Sequence, residues 1–94
     1  MVRSLSVTAR GSFARILKQK RLQNDLSQEA LAHIAGISMR SISLLECNKQ
    51  QPTITTIETL AEALKTSMTE FIAAVENNKL AQQKFHLRRL NNLT

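Results

Sequence analysis

Apolar residues recur every three or four positions along most of the chain, which is the spacing of one face of an α-helix. In the first half, one stripe contains Phe13 and Leu17, and the next contains Leu31, Ile34 and Ala35. Ser27 has the side chain that caps a helix N-terminus. This half is therefore predicted to hold three helices: Ser12 to Gln23, Gln28 to Ala35, and about Met39 to Cys47.

A fourth helix is predicted after the polar stretch 48–51 and Pro52. Thr53 or Thr55 is expected to cap it, and Glu58 lies three residues after Thr55, the spacing of a capping box. Its apolar stripe consists of Ile54, Ile57, Leu60, Ala61 and Leu64.

A fifth helix is predicted to start at a second capping box, formed by Ser67 and Glu70, and to continue through Phe71, Ile72 and Val75. Beyond it, residues 77–94 carry leucines at helical spacing but also two Asn pairs. This segment remains open between a frayed tail and a sixth, C-terminal helix.

Only residues 36–38 separate the second and third helices. Gly36 can adopt the left-handed conformation that ends a helix, and Ser38 can cap the next one. On a helical wheel, Ile42 and Leu45 lie on one side of the third helix, opposite a face of Met39, Arg40, Ser43, Leu44 and Cys47. This pattern predicts a helix-turn-helix whose second helix packs through one face and presents the other.

Composition supports one small all-α domain. The 94 residues are 43% hydrophobic but only 3% aromatic, with two Gly and one Pro, which leaves little material for strands and turns. We divide the chain into a basic N-terminal arm (1–11), a helix-turn-helix domain (12–76) and a basic C-terminal tail or helix (77–94). No apolar targeting segment follows Met1 and Cys47 is the only cysteine, so a cytoplasmic location is expected.

The net charge of +6 is concentrated at the two ends. Residues 1–24 and 79–94 contain basic but no acidic side chains, whereas residues 25–78 contain seven acidic and three basic ones. His33 and His86 are far apart, and neither a zinc-ligand spacing nor a Gly-rich phosphate loop occurs. The sequence therefore predicts no enzyme, no metal and no cofactor.

The segments "LSQEALAHIAGISMRSISLLE" and "PTITTIETLAEALKTSMTEF" resemble the helix-turn-helix domain of the Cro and phage-repressor (XRE) family of transcriptional regulators. The resemblance covers roughly residues 12–75. It implies a compact five-helix, repressor-like fold and a sequence-specific DNA-binding regulator. It further implies a homodimeric repressor that reads an inverted-repeat operator in double-stranded DNA, with two recognition helices roughly 34 Å apart in the major groove.

By this resemblance, the outward face of the third helix meets base edges through Met39, Arg40, Ser43 and Leu44. Arg40 is the strongest candidate because a guanidinium can bond O6 and N7 of guanine together. Met39 could contact thymine methyl groups, and for Leu44 such a contact and packing at the edge of the core are both open.

The resemblance also implies phosphate contacts and a structural pair. Phosphates would be contacted from two turns, by Ser27, Gln28, Cys47, Asn48 and Lys49. At the second turn the family commonly has Asn-Gly where this chain has Cys47-Asn48. An ion pair of Arg21 and Glu46 would tie the first helix to the end of the third.

Two questions stay open at this point. Residues 1–11, with Arg3 and Arg10, could follow a DNA groove, pair as a strand across a dimer, or be disordered. The alternative function is that of an antitoxin or other helical interaction module whose main partner is a protein, such as a toxin. Variants of the third helix that lose binding either to DNA or to protein would discriminate the two.

Overall fold

The computed structural model describes the backbone of residues 11–92 and the side chains of residues 11–84. This part of the chain is all-α, as predicted. It forms five helices: α1 Ser12–Gln23, α2 Gln28–Ala35, α3 Met39–Glu46, α4 Ile54–Ala63 and α5 Met68–Asn92. The bounds of α1 and α2 agree with the prediction, and α3 ends one residue earlier, with Cys47 as its C-cap.

Hydroxyl side chains cap the N-termini of four of the five helices. Ser27, Ser38, Thr53 and Ser67 each accept a hydrogen bond from the backbone N–H three residues later, at 3.0–3.1 Å. These bonds satisfy N–H groups that have no partner within the helix. The capping box predicted at Thr55 is wrong, because Thr53 is the cap and Thr55 already lies within α4.

Each of the first four helices is followed, within two residues of its last residue, by a residue with positive φ: Asp25, Gly36, Asn48 and Lys65. In each case the following N–H bonds back to the carbonyl five residues earlier, at 2.9–3.1 Å. This is the Schellman arrangement, for which Gly is the preferred residue because it has no Cβ. Gly36 (φ 68°) confirms the predicted break between α2 and α3, whereas the other three positions use side-chain-bearing residues.

The core lies where all five helices meet. Its fully buried large side chains are Leu17, Leu31, Ile42, Leu45, Leu60 and Phe71. The expected packing of Ile34 and Ile54 is wrong: they are 54% and 73% exposed. Around the axis of α2, Ile34 lies about 100° from the centre of the buried face, which is near Ala35. Ile54 is the first residue of α4 and lies beyond the core.

Residues 77–92 are helical, but they continue α5 and do not form a separate sixth helix. At about 1.5 Å per residue, the 25 residues of α5 extend about 38 Å, along a molecule that measures 49 Å by 22 Å by 22 Å. Phe71 anchors the start of α5 in the core, and farther along Gln82 donates to Ser12 Oγ at 2.9 Å. None of the helices in this part of the chain has the length and apolar character needed to cross a bilayer.

Candidate nucleic-acid interface

α2, the turn at Gly36 and α3 form a helix-turn-helix. The Ile37 N–H bonds back to the Ala32 carbonyl at 3.0 Å, and Ser38 caps α3 through the Ser41 N–H. α3 packs on both α1 and α2. The orientation of α3 is therefore fixed from two sides.

One face of α3 is buried and the other is presented, as the wheel predicts. Ile42 and Leu45 are at most 1% exposed, whereas Met39 is 52% exposed. Of the other predicted base-contacting residues, Arg40 is exposed, and Ser43 and Leu44 are half-buried. The four side chains thus share one surface, on which Met39 and Arg40 are the most accessible.

The ion pair of Arg21 and Glu46 is present and joins α1 to α3. Arg21 Nε lies 2.6 Å from Glu46 Oε2, and Arg21 Nη2 donates to Glu46 Oε1 at 3.0 Å. The two side chains are only 9% and 3% exposed. The hydrogen bond to Glu46 raises the pKa of Arg21, against the opposing effect of burial.

Two further bonds of this cluster do not follow from the sequence analysis. Arg21 Nη1 donates to the Leu26 carbonyl at 2.7 Å, which fastens the loop before α2. Gln28 Nε2 donates to Glu46 Oε1 at 3.1 Å. Gln28 is separated from Glu46 by 18 residues, and the crossing of α2 and α3 brings them together, which residue spacing alone does not reveal.

The residues predicted to contact phosphates lie in two turns. At the start of α2, Ser27 is exposed and Gln28 is half-buried against Glu46. After α3, Cys47 and Lys49 are exposed. Asn48, at the position where the resembling family commonly has Gly, adopts a left-handed conformation with φ 59°. Asn tolerates this conformation better than most residues, which explains how the turn forms without Gly.

The start of α1 lies beside this second turn. Gly11 caps α1 with φ 83°, and a Cβ at this position would lie 3.9 Å from Asn48 Nδ2. Residues 1–10, predicted as part of a basic arm, lie outside the described residues. Gly11, the last residue of the predicted arm, therefore lies next to residues predicted to contact phosphates.

Among the residues whose side chains the structure describes, no group of three or more His, Cys, Asp or Glu could hold a metal ion. His33 is exposed on α2. Glu46, the most deeply buried carboxylate of the interface, is already bonded to Arg21 and Gln28. The cluster is thus a structural network behind the outward face of α3.

Comparison with known proteins identifies the fold. A family model described as HTH_3, helix-turn-helix, matches residues 17–71, more than half of the chain. The chain belongs to the HTH_3 family. The family resemblance found in the sequence is thereby confirmed, and family and fold are those of transcriptional regulators. No curated protein matches the chain in sequence.

Solved structures agree with this HTH_3 assignment. The restriction-modification controller protein C.Esp1396I, a tetramer in complex with its natural 35 base-pair operator, is 25% identical, with a TM-score of 0.71 over 77% of this chain and 95% of its own. An HTH_3 family transcriptional regulator from Vibrio cholerae is 29% identical, with a TM-score of 0.68 over 80% of this chain and 41% of its own. The clp gene regulator ClgR from Corynebacterium glutamicum shares the fold at 18% identity, with a TM-score of 0.77 over 87% and 88% of the two chains.

The HTH_3 match contains all of the predicted base-contacting residues and the phosphate contacts predicted by the family resemblance. It begins at Leu17 and ends at Phe71, both fully buried, and it includes the Arg21–Glu46 pair and all of α3. The part of α5 after Phe71 lies outside the match. The family model thus accounts for the helix-turn-helix and its supports, and most of α5 lies beyond its bounds.

Proposed function

We propose that this chain is a sequence-specific DNA-binding transcriptional regulator, a repressor that binds an inverted-repeat operator with α3 in the major groove. The observation that carries the proposal is the outward face of α3, where Arg40 and Met39 are exposed while Ile42 and Leu45 hold the helix to the core. The major groove is about 12 Å wide and accepts an α-helix. The operator complex of the controller protein C.Esp1396I supports the same function for a similar fold.

In this proposal the two groups of contacts have different roles. Arg40 donates to O6 and N7 of a guanine, Met39 and Leu44 contact thymine methyl groups, and Ser43 bonds to a base edge. Ser27, Gln28, Cys47, Asn48 and Lys49 contact phosphates on either side and fix the register without reading sequence. The protein has no catalytic role and acts in the cytoplasm.

The proposed operator symmetry requires a dimer. Two-fold symmetry places two copies of α3 in successive major grooves, roughly 34 Å apart. α5 is the proposed interface, because it continues beyond the core and exposes Ile72 (37%) and Leu80 (52%). Light scattering after size exclusion is expected to give twice the 10.6 kDa chain mass. A monomer at high micromolar concentration would refute the dimer.

The terminal segments are proposed to have separate roles. Residues 1–11 are a basic arm that contacts phosphates, since its last residue, Gly11, lies beside Asn48. Residues 12–76 form the helix-turn-helix domain, and residues 77–94 extend it towards the second copy. The arm would add affinity that depends strongly on salt concentration.

The function is tested by titrating labelled DNA from upstream of the protein's own gene and a scrambled duplex, each with wild type, Arg40→Ala and Arg15→Ala. Arg15 is an exposed arginine on α1 and serves as the matched control. Wild type is expected to prefer the native duplex at least several-fold, and Arg40→Ala should abolish the preference while Arg15→Ala keeps it. Equal, weak binding of both duplexes would contradict the proposal and favour a protein-binding module, such as an antitoxin.

A further inference from the structure

The Glu46 carboxylate is a shared acceptor at the junction of three elements. It accepts two hydrogen bonds from Arg21 on α1, at 2.6 and 3.0 Å, and one from Gln28 Nε2 at the start of α2, at 3.1 Å. Glu46 itself is the last residue of α3, and its side chain is 3% exposed. One buried group therefore connects α1, the recognition helix and a predicted phosphate contact.

The chemistry of this acceptor fixes which way the Gln28 amide faces. An ionised carboxylate can only accept hydrogen bonds, so the nitrogen of the Gln28 amide must face Glu46 and its oxygen must face away. A primary amide nitrogen carries two N–H groups, and the bond to Glu46 uses one. The second N–H is then held in a fixed direction at the half-buried start of α2.

Arg21 makes this arrangement compatible with a nearby anion. An unpaired carboxylate behind Gln28 would repel a phosphate, but the Arg21 guanidinium neutralises it through two hydrogen bonds. Arg21 is in turn fixed by its bond to the Leu26 carbonyl. The local charge is thus balanced before DNA arrives.

We propose that Glu46 is a positioning residue for DNA binding, which orients the Gln28 side-chain amide so that its free N–H donates to a phosphate of the DNA backbone. This inference rests on the proposed function. It assigns Glu46 a second role beyond its pair with Arg21, and it makes the phosphate contact a preorganised one. A preorganised donor loses less side-chain freedom on binding than a mobile one.

A double-mutant cycle measures this coupling through DNA affinity. Gln28→Ala is introduced into wild type and into an Arg21→Met/Glu46→Met background, which removes the buried ion pair as a unit and so leaves no unpaired charge. Gln23→Ala, at an exposed glutamine near the end of α1, is the matched control. Circular dichroism melting establishes that each variant is folded.

In wild type, Gln28→Ala is expected to weaken binding to native and scrambled duplexes alike by about tenfold, or about 1.4 kcal/mol. In the Arg21→Met/Glu46→Met background, Gln28→Ala should weaken DNA binding by less than about twofold. Gln23→Ala should leave DNA binding unchanged in both backgrounds. Two results would overturn the proposal but not the proposed function. In one, Gln28→Ala weakens DNA binding equally in both backgrounds; in the other, Gln28→Ala does not weaken binding in wild type although wild type binds its operator specifically. Weak and equal binding of wild type to both duplexes would overturn the proposed function and the proposal together.

A second measurement does not need the Arg21→Met/Glu46→Met background, and its first step needs no DNA. Nitrogen-15 relaxation of the side-chain amides in wild type is expected to give Gln28 an order parameter near that of rigid backbone, about 0.85, and Gln23 a value below about 0.6. Adding operator DNA should then shift the resonance of one Gln28 amide proton more than the other. A Gln28 amide as mobile as that of Gln23 would contradict the positioning role, even if the variants of the cycle fail to fold.

Discussion

Removing the Glu46 carboxylate alone is expected to destabilise the fold severely. In a Glu46→Ala variant, Arg21 keeps its bond to the Leu26 carbonyl but loses both bonds to Glu46 and remains a largely buried, unpaired cation. Breaking a buried pair in this way costs about 3–5 kcal/mol. A chain of 94 residues is stabilised by about 5–14 kcal/mol in total. The change should therefore remove a large share of the stability.

Urea unfolding followed by circular dichroism measures this loss, with Glu58→Ala as the control. Glu58 is an exposed carboxylate on α4, and its removal should change the free energy of unfolding by less than about 0.5 kcal/mol. The Arg21→Met/Glu46→Met variant should be more stable than Glu46→Ala by about 2 kcal/mol or more, because it removes the buried charge together with its partner.

Salt and pH give independent checks on the same pair. The two side chains are buried, so raising the salt concentration should change little the loss of unfolding free energy caused by Glu46→Ala.

The pKa of Arg21 is raised in the folded protein, which means that its stabilising contribution is complete below the pKa of unfolded arginine and is lost only at more alkaline pH. Stability between about pH 6 and 9 should thus be insensitive to this group. A Glu46→Ala variant within about 1 kcal/mol of wild type, with an unchanged urea dependence, would refute the reasoning.

Two further changes test the helix ends and the proposed arm. Lys65→Gly should raise the free energy of unfolding in a urea titration by about 0.5–1 kcal/mol. Lys65 has φ 59°, a conformation in which a Cβ is unfavourable and which Gly adopts without that cost. A loss of stability would contradict this account of the end of α4. Arg3→Ser/Arg10→Ser should reduce the slope of log affinity against log salt concentration by about 0.9 for each phosphate that the arm no longer neutralises. An unchanged slope would refute the proposed phosphate contacts of residues 1–11.

Much of the fold could be predicted because local signals coincide in this chain. Ser27, Ser38 and Ser67 provide side-chain caps, and Gly36 provides the one glycine break between two apolar stripes. Each of these signals acts within a few residues, so the bounds of α1 and α2 follow from the sequence. The family resemblance then supplies the arrangement of the helices, which periodicity alone leaves open.

The failures arise where tertiary packing decides. Ile54 satisfies the helical stripe, but it precedes the part of α4 that reaches the core. Asn48 and Lys65 end helices in a conformation that sequence signals assign mainly to Gly. The bond between Gln28 and Glu46 depends on how α2 and α3 cross, and no spacing along the chain encodes that distance.

The central claim is that α3 enters the major groove with Arg40 against a guanine. It is tested most directly by replacing single guanines of the bound operator with 7-deazaguanine, which removes the N7 acceptor from the major groove and leaves the minor groove unchanged. At one guanine in each half-site, the replacement should weaken wild-type binding by about tenfold, or about 1.4 kcal/mol, and leave Arg40→Ala unaffected. Equal binding of all substituted operators by wild type, or an equal loss in Arg40→Ala, would contradict the account.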